Sequence, residues 1–79
     1  MYIVYVLKSG LDSKCYYGLT RDLAKRLIDH NSGKVRSTKA RRPFSVVYSE
    51  EVSTREIARK REKYFKSGFG RKFLKNKLG

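Results

Sequence analysis

Acidic residues are scarce in this chain. Seven Asp and Glu stand against 20 Lys and Arg, a formal charge of +13 with the single histidine neutral. The few acids are scattered without clustered spacing, which argues against a metal centre walled by several carboxylates. Cys15 is the only cysteine, so neither an internal disulfide nor a thiolate metal cluster can be assembled, and it reads as a small strand residue. Long hydrophobic runs are missing too. Lys8 interrupts the apolar start after Leu7, too early for a secretory core, and no later stretch could span a bilayer. A cytoplasmic protein is therefore expected. No repeat or low-complexity segment breaks the pattern.

What is present suffices for one domain, 1–79. The chain is 39% hydrophobic, with six Tyr and four Phe, and its apolar residues fall in periodic groups, unlike a disordered basic tail. At this length burial is marginal, so each large side chain matters. The excess positive charge attracts polyanions, either nucleic acid or an anionic membrane surface. Basic residues occur in both halves and in every predicted helix, so the charge does not sit on a detachable arm.

Tyr2-Ile3-Val4-Tyr5-Val6-Leu7 is rich in β-branched and aromatic residues and predicts a strand. Turn residues Ser9-Gly10-Leu11-Asp12 precede a second strand, Cys15 to Leu19. Pairing Lys8 with Ser13 would set Tyr5 opposite Tyr16, on one face. Thr20 is the expected cap of a helix starting near Arg21, whose apolar stripe is Leu23, Ala24, Leu27 and Ile28, with Gly33 as its stop. Arg26 and His30, four apart, share a flank of that helix. Lys34 to Arg42 has five basic residues, no acid and no periodicity, and Pro43 closes it. Phe44 to Tyr48 predicts a third strand, reaching Val52. Ser53 to Glu56 matches a capping box opening a helix that buries Ile57, Ala58, Tyr64 and Phe65. A last helix after Gly70 turns Phe73, Leu74 and Leu78 inward. The expected layout is α+β: a small three-stranded antiparallel sheet flanked by helices.

Three groups could carry chemistry. Strand tyrosines such as Tyr5 and Tyr16 ordinarily pack, yet a phenol beside a scissile phosphate can position or deprotonate water if neighbouring cations help. Arg26 and His30 could form a solvated flank, or supply a planar cation and a proton-relaying imidazole to phosphate. Glu62 lies at the edge of the last long helix's apolar arc, among Arg59, Lys60, Arg61, Lys63 and Lys66. It balances charge there, or else holds a hard cation whose shell is completed by water and phosphate.

Taken together, Val4-Tyr5-Val6, Tyr16-Tyr17-Gly18, Thr20, Asp22-Leu23, Arg26-Leu27 and His30-Asn31 resemble the signature of the GIY-YIG nuclease superfamily. Arg41-Arg42-Pro43, the run Arg61 to Gly68 and Gly70-Arg71 are similar to its small stand-alone bacterial branch, so the resemblance covers the whole chain. It implies a GIY-YIG-like fold and a metal-dependent endonuclease acting on DNA foremost. The implied catalytic set is Tyr5 for water activation, Tyr16 for shaping the site, Arg26 for transition-state charge, His30 for proton transfer or phosphate contact, and Glu62 as ligand of Mg²⁺ or Mn²⁺. Gly18 leaves room beside Tyr16, and Asn76 corresponds to a family asparagine of variable spacing. Val4 stands where the family has Gly and Tyr17 where Ile is usual; neither change removes a reactive group.

Lys34, Arg36, Lys39, Arg41, Arg42, Lys66, Arg71 and Lys72 are the expected backbone contacts, so binding should weaken steeply with salt. No attached DNA-reading module is visible, which leaves weak specificity, a preference for branched or damaged structures, or recruitment by another protein. A non-catalytic DNA- or RNA-binding module is the main competing reading. A membrane-surface role is weaker, because the basic helices also carry core-facing aromatics.

Overall fold

The computed structural model describes residues 1–78, the side chain of Leu78 excepted, so the inward orientation expected of Leu78 lies outside the described residues. Strands β1 (Tyr2–Ser9) and β2 (Cys15–Thr20) form a hairpin, followed by α1 (Leu23–Ser32), a 3₁₀ turn at Lys39–Arg41, β3 (Phe44–Val52), α2 (Arg55–Lys66) and α3 (Gly68–Leu78). The three strands make one antiparallel sheet ordered β2-β1-β3. The expected α+β layout is the one observed.

β1 is central, and Val4 to Leu7 are all buried because both faces of the sheet are covered. Val4 and Val6 pack with Ala58 and Phe65 of α2 and Leu74 of α3, with Tyr17, Leu19 and Tyr48 around them. Tyr5 and Leu7 face the other way, into a smaller cluster with Phe44, Tyr16, Val46 and the α1 residues Leu23 and Leu27. The β1–β3 register shifts between Val6 and Leu7: Val6 faces Tyr48 while Leu7 faces Val46. The extra residue, Val47, is a bulge, which lets Val47 and Tyr48 both serve the first cluster.

Several local expectations are corrected. The hairpin pairs Lys8 with Cys15, which sets Tyr5 opposite Gly18 and Leu7 opposite Tyr16. Ser9 N–H donates to the Lys14 carbonyl at 2.9 Å, so the four-residue loop is Gly10 to Ser13, one residue further along than expected, with Ser13 at φ 62°. A two-residue slip preserves the side-chain face, so Tyr5 and Tyr16 remain on one side as diagonal neighbours. Asp22, not Thr20, caps α1, its carboxylate accepting from Lys25 N–H at 3.1 Å; Thr20 accepts from Asp22 N–H instead. Thr54, one residue beyond Ser53, caps α2 by accepting from Ile57 N–H. Ile28 and Ile57 are 65% and 43% exposed, and Ala24 is exposed as well. The inward side of α1 is Leu23, Arg26, Leu27 and His30.

Two clamps hold the helices in place. The Asn31 side chain donates to the Phe44 carbonyl at 3.0 Å and accepts from Phe44 N–H at 2.6 Å, tying the end of α1 to the start of β3. On the opposite face Arg61 donates twice to Glu50, at 2.6 and 3.0 Å, while its guanidinium covers the Tyr64, Phe65 and Phe73 rings. The hydrogen bonds from Arg61 hold the Glu50 carboxyl below the usual carboxylate range against the opposing effect of burial. α2 is thereby locked to β3, which fixes where its other side faces.

Candidate active site

Gly18 is where the site begins. A Cβ there would lie 2.6 Å from Tyr5 Cζ and closer still to Oη, so only glycine lets the Tyr5 ring lie across β2. Tyr5 itself is 1% exposed. Its ring forms the floor of an open hollow of about 270 Å³ lined also by Tyr16, Gly18, Leu19, Arg26, Arg55, Arg59 and Glu62. Strand, first helix and second helix therefore converge on one concavity wide enough for a phosphate.

Around the Tyr5 hydroxyl the partners are well defined. Arg26 Nε donates to Oη at 3.4 Å, and His30 Nε2 lies 3.1 Å from it. Burial pushes the Tyr5 phenol above its ordinary value of 10.0, with the Arg26 hydrogen bond and charge opposing. A standing phenolate is therefore not the resting state. Tyr16 sets its ring edge-on against the His30 imidazole, centroids 4.9 Å apart.

His30 departs from expectation. It is fully buried, and its other nitrogen, Nδ1, sits 2.8 Å from the hydroxyl of Thr38, which is also fully buried. With both ring nitrogens engaged inside the protein, His30 cannot touch a phosphate in the hollow; it lies behind Tyr5 and serves that residue. Burial and the charge of Arg26 hold it below 6.5, against a smaller opposing effect of Asp29, so it is neutral at physiological pH. Tyr5 and Tyr16 are the other titratable side chains against it.

A pH effect on stability follows. The unfolded chain protonates its histidine near 6.5 while the folded one resists. Below that value the unfolded state binds more protons, so stability complete above 6.5 is lost as pH falls toward the depressed folded value. Urea midpoints from about pH 7.5 to about pH 5.5 should fall for the wild type and flatten for His30→Gln. Equal slopes would refute the assignment.

Glu62 reaches the same hollow from α2, and its carboxylate is 3.7 Å from Lys66 Nζ. Three of the other acids are committed elsewhere: Asp12 pairs with Arg41, Asp22 caps α1 and Glu50 pairs with Arg61. Among the described residues no three Asp, Glu, His or Cys side chains gather around a common point. One carboxylate facing an open hollow does fit a hard divalent cation that keeps most of its water and shares the rest of its shell with phosphate.

Arg55 and Arg59 were missed by sequence reasoning. They stand seven and three residues before Glu62, hence on its side of α2, a spacing readable in advance had Glu62 been taken as the reference. Thr38 was missed as well, lying unmarked inside the basic segment. The hollow is continued along α2 by a second concavity of about 370 Å³ lined by Arg59, Lys60, Glu62, Lys63 and Lys66. Asn76 is exposed on α3 and does not line the hollow. Of the expected backbone contacts, Lys34, Arg36, Lys39, Arg42, Lys66, Arg71 and Lys72 are exposed. Arg41 is not free: its Nε donates to Asp12 at 2.9 Å and its guanidinium lies over the Phe44 ring, bracing the loop against the hairpin.

Comparison with known proteins gives the family and the fold. The family model described as the GIY-YIG catalytic domain matches residues 1–76. A UPF0213 protein of Bacillus pumilus is 47% identical over 64 residues, covering 80% of this chain and 64% of that protein. One from Staphylococcus saprophyticus is 40% identical over 73 residues, covering 91% and 88%. The chain thus spans just under two thirds of the Bacillus pumilus relative, and 63% of the similar YazA protein of Bacillus subtilis. The solution NMR structure of a UPF0213 protein from Bacillus halodurans superposes with a TM-score of 0.57 at 31% identity, covering 96% of this chain and 84% of that one. No helix among the described residues is long and apolar enough to cross a membrane.

Proposed function

Because the chain belongs to the GIY-YIG nuclease family, we propose that it is a divalent-metal-dependent endonuclease that hydrolyses phosphodiester bonds of nucleic acid, DNA foremost. The observation that carries this reading is the joint lining of one open hollow by Tyr5, Tyr16, Arg26 and Glu62.

In this reading the scissile phosphate enters the hollow and water attacks phosphorus. Tyr5 Oη accepts a proton from that water while its own proton passes to His30 Nε2, so the phenol relays charge without becoming a free phenolate. As the new P–O bond forms and the bond to the leaving 3′ oxygen breaks, the Arg26 guanidinium meets the charge growing on the equatorial oxygens. The leaving oxygen takes a proton from solvent and His30, whose charged form burial and Arg26 disfavour, returns its extra proton through Tyr5 to solvent, giving a 5′-phosphate, a 3′-hydroxyl and a restored neutral imidazole. Tyr16 limits the width of the hollow. Mg²⁺ or Mn²⁺ held by Glu62 would supply Lewis-acid neutralisation at the phosphate and the leaving oxygen. Arg55, Arg59 and the lysines of α2 hold the flanking backbone, which carries affinity without reading bases.

The test is cleavage of end-labelled single-stranded, duplex and branched DNA and of RNA, with either ion, by wild type and Arg26→Ala. Loss of one transition-state donor should lower kcat about 10²–10³-fold. Salt-sensitive binding with no cutting of any substrate by the wild type would leave a binding module instead.

A further inference from the structure

Inside the basic segment between α1 and β3, Thr38 is the one side chain that is fully buried. Its hydroxyl oxygen is 3.3 Å from the Val35 carbonyl oxygen and 2.8 Å from His30 Nδ1. The Val35 carbonyl, which also takes the Thr38 N–H at 3.1 Å, can only accept, so the hydroxyl proton has two places to go: this carbonyl or, in the other tautomer, Nδ1. With the hydroxyl proton on the carbonyl, a lone pair of Thr38 Oγ1 faces His30 and Nδ1 carries the hydrogen. A neutral imidazole has one N–H, which leaves Nε2 as the bare acceptor 3.1 Å from Tyr5 Oη.

We propose that Thr38 is a positioning residue that locks His30 in the Nδ1–H tautomer, so that Tyr5 can hand its proton inward and accept one from water. The opposite tautomer would reverse the relay. Nε2–H would donate to Tyr5 Oη alongside Arg26 Nε, and both lone pairs of the phenol would be occupied. Its own proton would then point away from His30, and Tyr5 could donate to the attacking water but not accept from it. Which way the phenol works is thus decided by a hydroxyl that never meets substrate.

This rests on Tyr5 acting as the proton acceptor, and the experiment separates the two ideas. The chain contains a single histidine, so ¹⁵N-histidine labelling reports His30 alone. Spectra are taken above pH 6.5, where the ring is neutral. Wild type and Thr38→Ser should show a protonated Nδ1 and a bare Nε2, and Thr38→Val should move the proton to Nε2. Thr38→Val should lose about 10–100-fold in kcat with KM unchanged, and Thr38→Ser should recover most of it. A wild-type spectrum with Nε2 protonated overturns the proposal even if Thr38→Val fails to fold. So does an unchanged kcat in a folded Thr38→Val whose tautomer has switched. A wild type with the expected tautomer and no nuclease activity refutes the relay and the nuclease reading together, while the tautomer lock itself stands supported.

Discussion

A Glu62→Gln variant should lose phosphodiester cleavage by about 10³-fold or more, in either Mg²⁺ or Mn²⁺, while retaining salt-sensitive binding to DNA. Such a loss corresponds to about 4 kcal/mol of transition-state stabilisation, within the several kcal/mol a bound metal supplies. Glutamine keeps the size and reach of the side chain and removes the charge, and hard divalent ions need charged oxygen where only one protein ligand is available. Binding should survive because Arg55, Arg59, Lys60, Lys63 and Lys66 remain, and loss of a carboxylate only eases the approach of phosphate. Folding should survive as well, since the Lys66 pair is long, partly exposed and one turn apart, worth about 0.3–0.5 kcal/mol. Single-turnover cleavage and fluorescence anisotropy at several salt concentrations measure the two quantities side by side. Wild-type cleavage by the variant would remove Glu62 from the mechanism.

Gly70→Ala should be the most damaging small change to stability. A Cβ at Gly70 would come within 2.5 Å of Phe65 Cα and would overlap the Tyr64 carbonyl oxygen. These are backbone atoms, so no rotamer can relieve the clash and α3 must lift from the end of α2. Overpacking of this kind costs about 1–3 kcal/mol or more. In a domain of this size each kcal/mol moves Tm by about 4–8 °C, so a drop on the order of 10 °C is expected. Lifting α3 also loosens Leu74 and Phe73 from the first core cluster. Gly68→Ala is the matched control: nothing lies within 4 Å of the added methyl, and its φ is not in the left-handed region. That change should be neutral or raise stability by up to about 1 kcal/mol through reduced freedom of the unfolded chain. Equal Tm values for the two variants would show that the α2–α3 approach is not tight.

The two tyrosines illustrate how far the sequence could be read. Alternation along β1 and β2 settles which residues share a face, and that held through a two-residue error in the hairpin register. The register itself depended on Ser13 entering the left-handed region, which no hydrophobic pattern encodes. The capping positions were one or two residues off for a similar reason. Thr20 and Asp22, or Ser53 and Thr54, can all accept from a helix N–H, and the angle at which the chain leaves the strand selects among them.

α1 shows the larger difficulty. Hydrophobicity nominates Ala24 and Ile28 for burial, yet both are exposed, while Arg26 and His30 turn inward. Polar side chains take the inward positions here because they find partners there, the Tyr5 phenol and the Thr38 hydroxyl, and those partners come from distant segments. Arg41 is the converse case: counted among free cations, it is held by Asp12, 29 residues earlier in the chain.

By itself the sequence determined the charge that draws polyanions, the order of strands and helices, the buried run of β1 and the side chains present for chemistry. These depend on composition and short-range periodicity, which a chain carries before it folds. Only the tertiary structure decided that Glu62 opens on the same hollow as Tyr5, that His30 lies behind the phenol instead of on the wall of the hollow, and that Thr38 faces its far nitrogen. Each depends on how whole elements pack across the sheet, and packing is set by the sum of many contacts between segments that no local pattern records.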